Sequence, residues 1–101
     1  MANKISLVKI DSNFYPITLP YIECNAAADA VNKGSYTVSG FTVEAGAQIQ
    51  VNFKNDNTTG APTITINSVG KTIVGYGVFA GSLFSAGILT LIYDGTYWVI
   101  K

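Results

Sequence analysis

Strict alternation of apolar and polar residues constrains the fold of this chain more than any other feature. Residues 48–53 place Ile49, Val51 and Phe53 on one face and polar side chains on the other, and residues 63–67 repeat the pattern. Successive side chains of a β-strand point to opposite faces, so a period of two predicts half-buried strands. The chain is therefore expected to build its core from β-sheet.

Other short β-prone runs are separated by turn-forming residues. The predicted strands cover residues 4–10, 14–18, 36–38, 41–43, 48–53, 63–67, 71–74, 88–93 and 97–100. The Asp94-Gly95 pair between the last two predicts a hairpin with a type I′ turn, which needs positive φ at both central residues. About nine short strands at this spacing predict an all-β fold, a small antiparallel β-sandwich or barrel. A second turn is predicted at Val69-Gly70.

Residues 25–32 are the one good helix candidate. Asn25 can cap the N-terminus, three alanines follow, and Gly34 can end the helix. Isolated helices of about two turns are marginal, so this helix would have to rest on the β-core.

The first twenty residues are expected to form a separate unit. Residues 11–13 are a turn cluster between two β-prone runs, and Pro16 is typical of an edge strand. A chain of 101 residues has room for one domain. The predicted organisation is an N-terminal attachment arm or hairpin over residues 1–20 and a β-domain over residues 21–101.

Composition argues against several classes of function. Charged residues make up 12% of the chain, and all six basic residues are lysines balanced by six acids. No basic patch of the kind that binds nucleic acid is visible. Histidine is absent, which removes the commonest general base and metal ligand. The six carboxylates lie at predicted turns or element ends, so no enzyme activity, cofactor or metal is expected.

Two further candidates for chemistry have simpler interpretations. Cys24 is the only cysteine and has no basic neighbour in sequence, so a buried apolar role is favoured over a reactive one. Residues 55–58 are rich in side-chain oxygen. They lack the spaced carboxylates of a calcium loop, and a plain surface loop is the favoured interpretation.

Residues 72–93 contain no charge. The run is long enough for a membrane helix, and Gly77 and Gly81 match a helix-dimer spacing. Its glycines and its continuation into the predicted hairpin favour instead a loop and strand buried against another copy of the chain, without membrane insertion. The candidate interface residues are Tyr76, Val78, Phe79, Leu83, Phe84 and Ile88.

The remaining aromatic residues fall mostly on predicted strands. Those expected in the core are Tyr36, Phe41, Phe53, Tyr93 and Trp98. Tyrosine and tryptophan also suit sugar sites, because a flat apolar face carries a polar edge. A carbohydrate-binding module that uses exposed Tyr or Trp faces is therefore the alternative function.

The order of motifs from about Cys24 to Ile100 resembles a β-domain met in bacteriophage fibre and baseplate-associated proteins. The Ala-rich segment 25–31 is followed by Gly40-Phe41-Thr42 and by the alternating run 46–53. The Asn/Thr-rich segment 55–67 comes next, and the chain closes with 91–100. The resemblance covers most of the chain, and its specificity comes from the order rather than from any one motif.

The resemblance implies a virion structural protein, a homotrimeric tail-fibre, head-fibre or decoration subunit. Its expected partners are other copies of itself, capsid or tail subunits, and a host surface glycan during attachment. It supplies no catalytic residues. Residues 1–5 lack the apolar core of a secretory signal, so synthesis in the host cytoplasm and incorporation into the virion are expected.

Overall fold

The computed structural model describes residues 6–10, 13–17, 19–75 and 82–101, and within these ranges the regular structure is entirely β. The strands are β1 Ser6–Ile10, β2 Asn13–Ile17, β3 Tyr21–Cys24, β4 Asn32–Tyr36, β5 Gln48–Phe53, β6 Thr63–Ile66, β7 Val69–Val74, β8 Gly87–Tyr93 and β9 Trp98–Ile100. The all-β prediction is confirmed.

Seven of the strands form one sheet that curls into a nearly closed barrel. Their order is β3-β5-β8-β9-β7-β6-β4, so β3 and β4 are its two edges. These edges approach each other where the Cys24 thiol donates to the Lys33 carbonyl at 3.2 Å. Strands β1 and β2 form a separate antiparallel pair with Ser6 opposite Ile17.

The sheet is mixed, so the prediction of a purely antiparallel fold is wrong. Strand pairs β3/β5, β4/β6 and β7/β9 are parallel, and the other neighbours in the barrel are antiparallel. Parallel neighbours need a crossover of about a dozen residues or more. The chain provides crossovers by interleaving: β4 lies in sequence between the paired strands β3 and β5.

The alternating residues of the central strands fill the barrel. The largest fully buried apolar side chains include Trp98, Phe53, Ile49, Ile64, Ile66, Ile73, Leu91 and Val51. Each such side chain contributes about 1.5–3 kcal/mol by leaving water. Of the aromatics expected in the core, Phe53, Tyr93 and Trp98 are buried, while Tyr36 and Phe41 are partly buried and pack against it. Cys24 is buried, as predicted.

Residues 25–31 do not form the predicted helix. They cross from β3 to β4 with a single turn, in which the Ala30 N–H donates to the Ala27 carbonyl. The carbonyls of Ala27 and Ala28 accept bonds from the Lys33 ammonium at 3.1 and 3.4 Å. These side-chain bonds hold the segment as a loop, because about two turns of helix have little stability of their own.

Two predicted turns differ in detail. The turn between β6 and β7 is at Asn67 and Ser68, with φ of 50° and 68°, rather than at Val69-Gly70. The β8–β9 hairpin is present, but its loop is Asp94–Tyr97. Gly95 has a φ of 98°, whereas Asp94 does not have positive φ, so the turn is not type I′.

Candidate functional site

The two ends of the barrel carry different connecting segments. Strand β5 finishes and β6 begins at the end we call the loop end, which carries residues 25–31, 54–62 and 82–86. The opposite end, which we call the arm end, carries residues 37–47 and 94–97, and the chain enters β3 there at Pro20. The Pro20 carbonyl accepts from the Gln50 N–H at 2.8 Å.

Asn57 organises the loop end. It is 3% exposed, so this part of residues 55–58 is not the plain surface loop that the sequence predicted. Its side-chain amide donates to the Ser82 carbonyl at 2.6 Å and to the Thr59 carbonyl at 2.9 Å. Its backbone N–H donates to the Phe84 carbonyl at 2.8 Å. One buried side chain therefore fixes the start of the 82–86 segment.

The neighbours of Asn57 tie down the rest of the loop end. The Asn55 amide donates to the Ala26 carbonyl at 2.9 Å, and the Thr58 hydroxyl donates to the Ala28 carbonyl at 3.1 Å. The Asp56 carboxylate accepts from the Ala86 N–H at 2.6 Å. The polar groups that had suggested a calcium loop are thus used to join three chain segments.

The predicted interface residues fall into three groups. Leu83 and Ile88 are 66% and 58% exposed. Phe84 is half-buried, with its ring centroid 4.5 Å from that of Phe53, so it closes the loop end of the barrel. Tyr76, Val78 and Phe79 lie outside the described residues.

The outer face of β3 and β5 carries a connected set of polar side chains that the sequence did not predict. Tyr21 accepts a bond from the Asn52 amide at 2.9 Å and donates to Glu23 Oε2 at 3.2 Å. The same oxygen lies 3.6 Å from the Lys54 ammonium. We call Tyr21, Glu23, Asn52 and Lys54 the polar strip.

Strand register puts an apolar neighbour beside this polar strip. Glu23 is opposite Asn52, and Asn52 is in turn opposite the exposed Ile88. The sequence does contain a signal for the first strand involved, because residues 21–24 alternate in period two after Pro20. The run is only four residues long, too short for its alternation alone to predict a strand.

A second polar cluster lies at the seam between the barrel edges. Lys33 is 2% exposed, and its backbone carbonyl accepts both the Cys24 thiol and the Tyr36 hydroxyl, the latter at 2.7 Å. Burial lowers the pKa of Lys33, and the negative potential of Cys24 and Asp29 opposes that shift. The pKa of Tyr36 is raised, mainly by burial and also by the hydrogen bond and charge interaction with Cys24.

In residues 19–75 and 82–101, no group of three or more His, Cys, Asp or Glu side chains could hold a metal ion. The exposed Asp94 has a lowered pKa because it accepts the N–H groups of Tyr97 and Thr96, which stabilise the hairpin loop. Among the described parts of the chain, no helix could cross a membrane.

Comparison of the chain with protein-family models, with curated proteins and with solved structures found no match.

Proposed function

We propose that this chain is a structural subunit of a bacteriophage virion, a homotrimeric fibre or a capsid or tail decoration subunit. The observation that carries the assembly part of the proposal is the exposure of Leu83 and Ile88 beside a barrel end whose backbone is held by hydrogen bonds. The motif order from Cys24 to Ile100 supports the virion assignment.

The exposed apolar side chains favour contact with further copies of the chain. Leu83 precedes Phe84, which packs inward, so the backbone that presents Leu83 is anchored. Presenting large apolar groups from a fixed backbone lowers the ordering cost of association. Three copies related by a closed rotation would bury these side chains without leaving an open filament.

The position of the N-terminal segment supports a role in attachment. The chain enters β3 at the arm end, whereas Leu83 is near the loop end. Strands β1 and β2 pair with each other and add no strand to the barrel sheet. In the proposed subunit, residues 1–20 form an arm that docks to a capsid or tail protein while the opposite end faces outward toward the host.

Sedimentation equilibrium of the intact chain at micromolar concentration tests the assembly. We expect a mass about three times the 10.7 kDa of one chain. A stable monomer contradicts the assembly, and a stable dimer contradicts three-fold symmetry. Immunogold labelling of purified phage particles from the source of the gene tests the virion assignment, and absence of label from the particles contradicts it.

A further inference from the structure

We propose that the polar strip is a binding subsite for a neutral hexopyranose unit, with the ring of Tyr21 as its platform. This inference goes beyond the assembly role and does not depend on the number of copies. The strip lies on the outer face of β3 and β5, which the sheet holds in fixed register.

The ring of Tyr21 is exposed and held in place at its hydroxyl. It is 46% exposed, yet its hydroxyl bonds to Asn52 on the neighbouring strand and to Glu23 on its own strand. Two bonds to the same oxygen fix the position of the tip of the side chain and so limit how far the ring can swing about the Cα–Cβ bond before any ligand arrives. A preorganised aromatic face binds with a smaller loss of conformational entropy than a free one.

The groups around the ring match the chemistry of a sugar. An aromatic face packs against the C–H groups of a pyranose, while amide, carboxylate and ammonium groups exchange hydrogen bonds with its hydroxyls. Glu23 makes both of its contacts through Oε2 and has a second oxygen that can accept from a hydroxyl. The Lys54 ammonium has further N–H groups to donate.

The charges on the strip favour a neutral ligand. Glu23 and Lys54 carry one charge each of opposite sign, so the strip offers no net charge to an acidic sugar. Their ion pair is exposed on both sides and spans 3.6 Å. An exposed pair of this kind contributes at most about 1 kcal/mol to stability, so a ligand hydroxyl can replace the contact at small cost.

The structure also narrows the choice of platform. Within residues 19–75 and 82–101, Tyr21 is the most exposed aromatic side chain, whereas Trp98 is buried in the barrel. Ile88, opposite Asn52 on the next strand, belongs to the proposed contact between copies and is not part of the sugar subsite. The subsite consists of the aromatic ring of Tyr21 and the hydrogen-bonding groups beside it on one face of β3 and β5.

Nuclear magnetic resonance titration of the intact protein tests this site. The probes are methyl glucoside, methyl galactoside and N-acetylglucosamine, with sialic acid as the charged comparator. We expect backbone amide shifts from at least one neutral probe to be concentrated at residues 21–23 and 52–54, with no saturable shifts there from sialic acid. Absence of saturable shifts there with all three neutral probes overturns the site, and so does preferential binding of sialic acid.

Substitutions of Tyr21 distinguish a ring that binds sugar from a side chain that only supports the fold. Tyr21→Ala should weaken binding by about tenfold or more, whereas Tyr21→Phe keeps the ring and should weaken it by about two- to tenfold. The matched controls are Tyr97→Phe and Lys71→Gln, which lie outside the strip and should leave the titration unchanged. Unchanged binding by Tyr21→Ala overturns the platform.

The mass of the same variants, measured by sedimentation equilibrium, distinguishes a failure of the sugar site from a failure of the proposed assembly. Tyr21→Ala should retain the mass of the unmodified protein while losing the titration. If Tyr21→Ala instead changes the mass, the strip is a contact between copies and the sugar site is overturned. A monomer that binds sugar at the strip contradicts the trimer and supports the sugar site.

Discussion

Lys33 places an ammonium group at the seam where the two edges of the barrel meet. Its carbonyl joins Cys24 to Tyr36, and its side chain holds the loop that follows β3. Two roles are combined in one residue: the methylene stem fills space near the core, and the charged end bonds to backbone carbonyls. These roles can be separated by substitution.

Replacing Lys33 should show that the stem matters more than the charge. Lys33→Ala removes the stem and both bonds to the Ala27 and Ala28 carbonyls, so we expect a loss of about 2–4 kcal/mol in the free energy of unfolding. Lys33→Met keeps a stem and removes a buried charge, and should cost less than half as much. Urea denaturation measures the free energy of unfolding of both variants, with the exposed Lys71→Ala as control. Equal losses for Lys33→Ala and Lys33→Met would show that the bonds to the two carbonyls matter more than the methylene stem.

The seam should also give stability a characteristic dependence on pH. Burial lowers the pKa of Lys33 below 10.5, so between its folded pKa and 10.5 the unfolded chain binds more protons and stability rises with pH. The pKa of Tyr36 is raised above 10.0, so above pH 10.0 the folded chain retains its proton and stability falls.

Differences between variants isolate these two contributions to the free energy of unfolding. Lys33→Met should flatten the rise below pH 10.5, and Tyr36→Phe should reduce the fall above pH 10.0. The measurement is urea denaturation at several pH values between 8 and 11, a range chosen around the ordinary pKa values of both groups. A profile for Tyr36→Phe that coincides with that of the unmodified chain would contradict the assignment.

At the scale of elements, the β8–β9 hairpin depends on the conformation of Gly95. Its φ of 98° is costly for a β-branched residue, so Gly95→Val should lower the free energy of unfolding by about 1–3 kcal/mol. Thr96→Val is the matched control, because Thr96 is in the same loop without positive φ. Thermal unfolding compares the two, and equal melting temperatures would contradict the role of Gly95.

We expect the stability of the loop end to depend on Asn57, because its side chain connects two of the chain segments there. Asn57→Ala removes side-chain bonds to Ser82 and Thr59 in a buried setting, so we expect a loss of about 1–3 kcal/mol in the free energy of unfolding. The exposed Asn55→Ala should cost less. Hydrogen exchange should be faster at the Ala86 amide in Asn57→Ala, and unchanged exchange there would show that the segment is held by other contacts.

The sequence predicted those elements whose pattern is local. Strands β5 and β6 follow from alternation, and the C-terminal hairpin follows from Asp94-Gly95 between apolar runs. The helix predicted at residues 25–32 failed because carbonyls of this segment bond to the side chains of Asn55 and Thr58, which are distant in sequence. Bonds between residues far apart in sequence leave no periodic signal.

The parallel strand pairs and the polar strip also depend on contacts between residues far apart in sequence, so the sequence did not predict them. Alternation does not distinguish parallel from antiparallel neighbours, so the interleaving of β3, β4 and β5 could not be inferred. The polar strip depends on that pairing, because Tyr21 meets Asn52 only when β3 lies beside β5. In contrast, Leu83 and Ile88 were selected as candidate interface residues from a charge-free run, which is a local feature of the sequence, and their role in an interface stays a prediction.

At the scale of the whole molecule, the barrel combines an apolar interior with a surface that carries little charge. The six lysines and six acids of the whole chain leave no net charge to keep copies apart. Association then depends on where apolar side chains remain exposed. The exposed large apolar side chains of the described barrel are Tyr21, Val31, Leu83 and Ile88. Only the last two belong to the predicted interface, which makes a selective test possible.

Leu83→Asp and Ile88→Asp should each convert the proposed trimer into monomers without unfolding the barrel. Both side chains are exposed in the single chain, so a carboxylate there stays in water in the monomer. In the assembly each copy would bring a charge into an apolar contact, and burial of each Leu or Ile, about 1.5–3 kcal/mol, would be lost three times over.

Val31→Asp is the matched control for this test, because Val31 is 52% exposed at the same end of the barrel but lies outside the predicted interface. We expect sedimentation equilibrium to give the mass of one chain for the Leu83 and Ile88 variants and an unchanged mass for Val31→Asp. Circular dichroism should remain that of a β-protein in all three. If Val31→Asp alone dissociates the protein, the contact between copies involves residues 25–31 and the predicted interface is wrong. If all three variants keep the mass of the unmodified trimer, neither segment forms the contact.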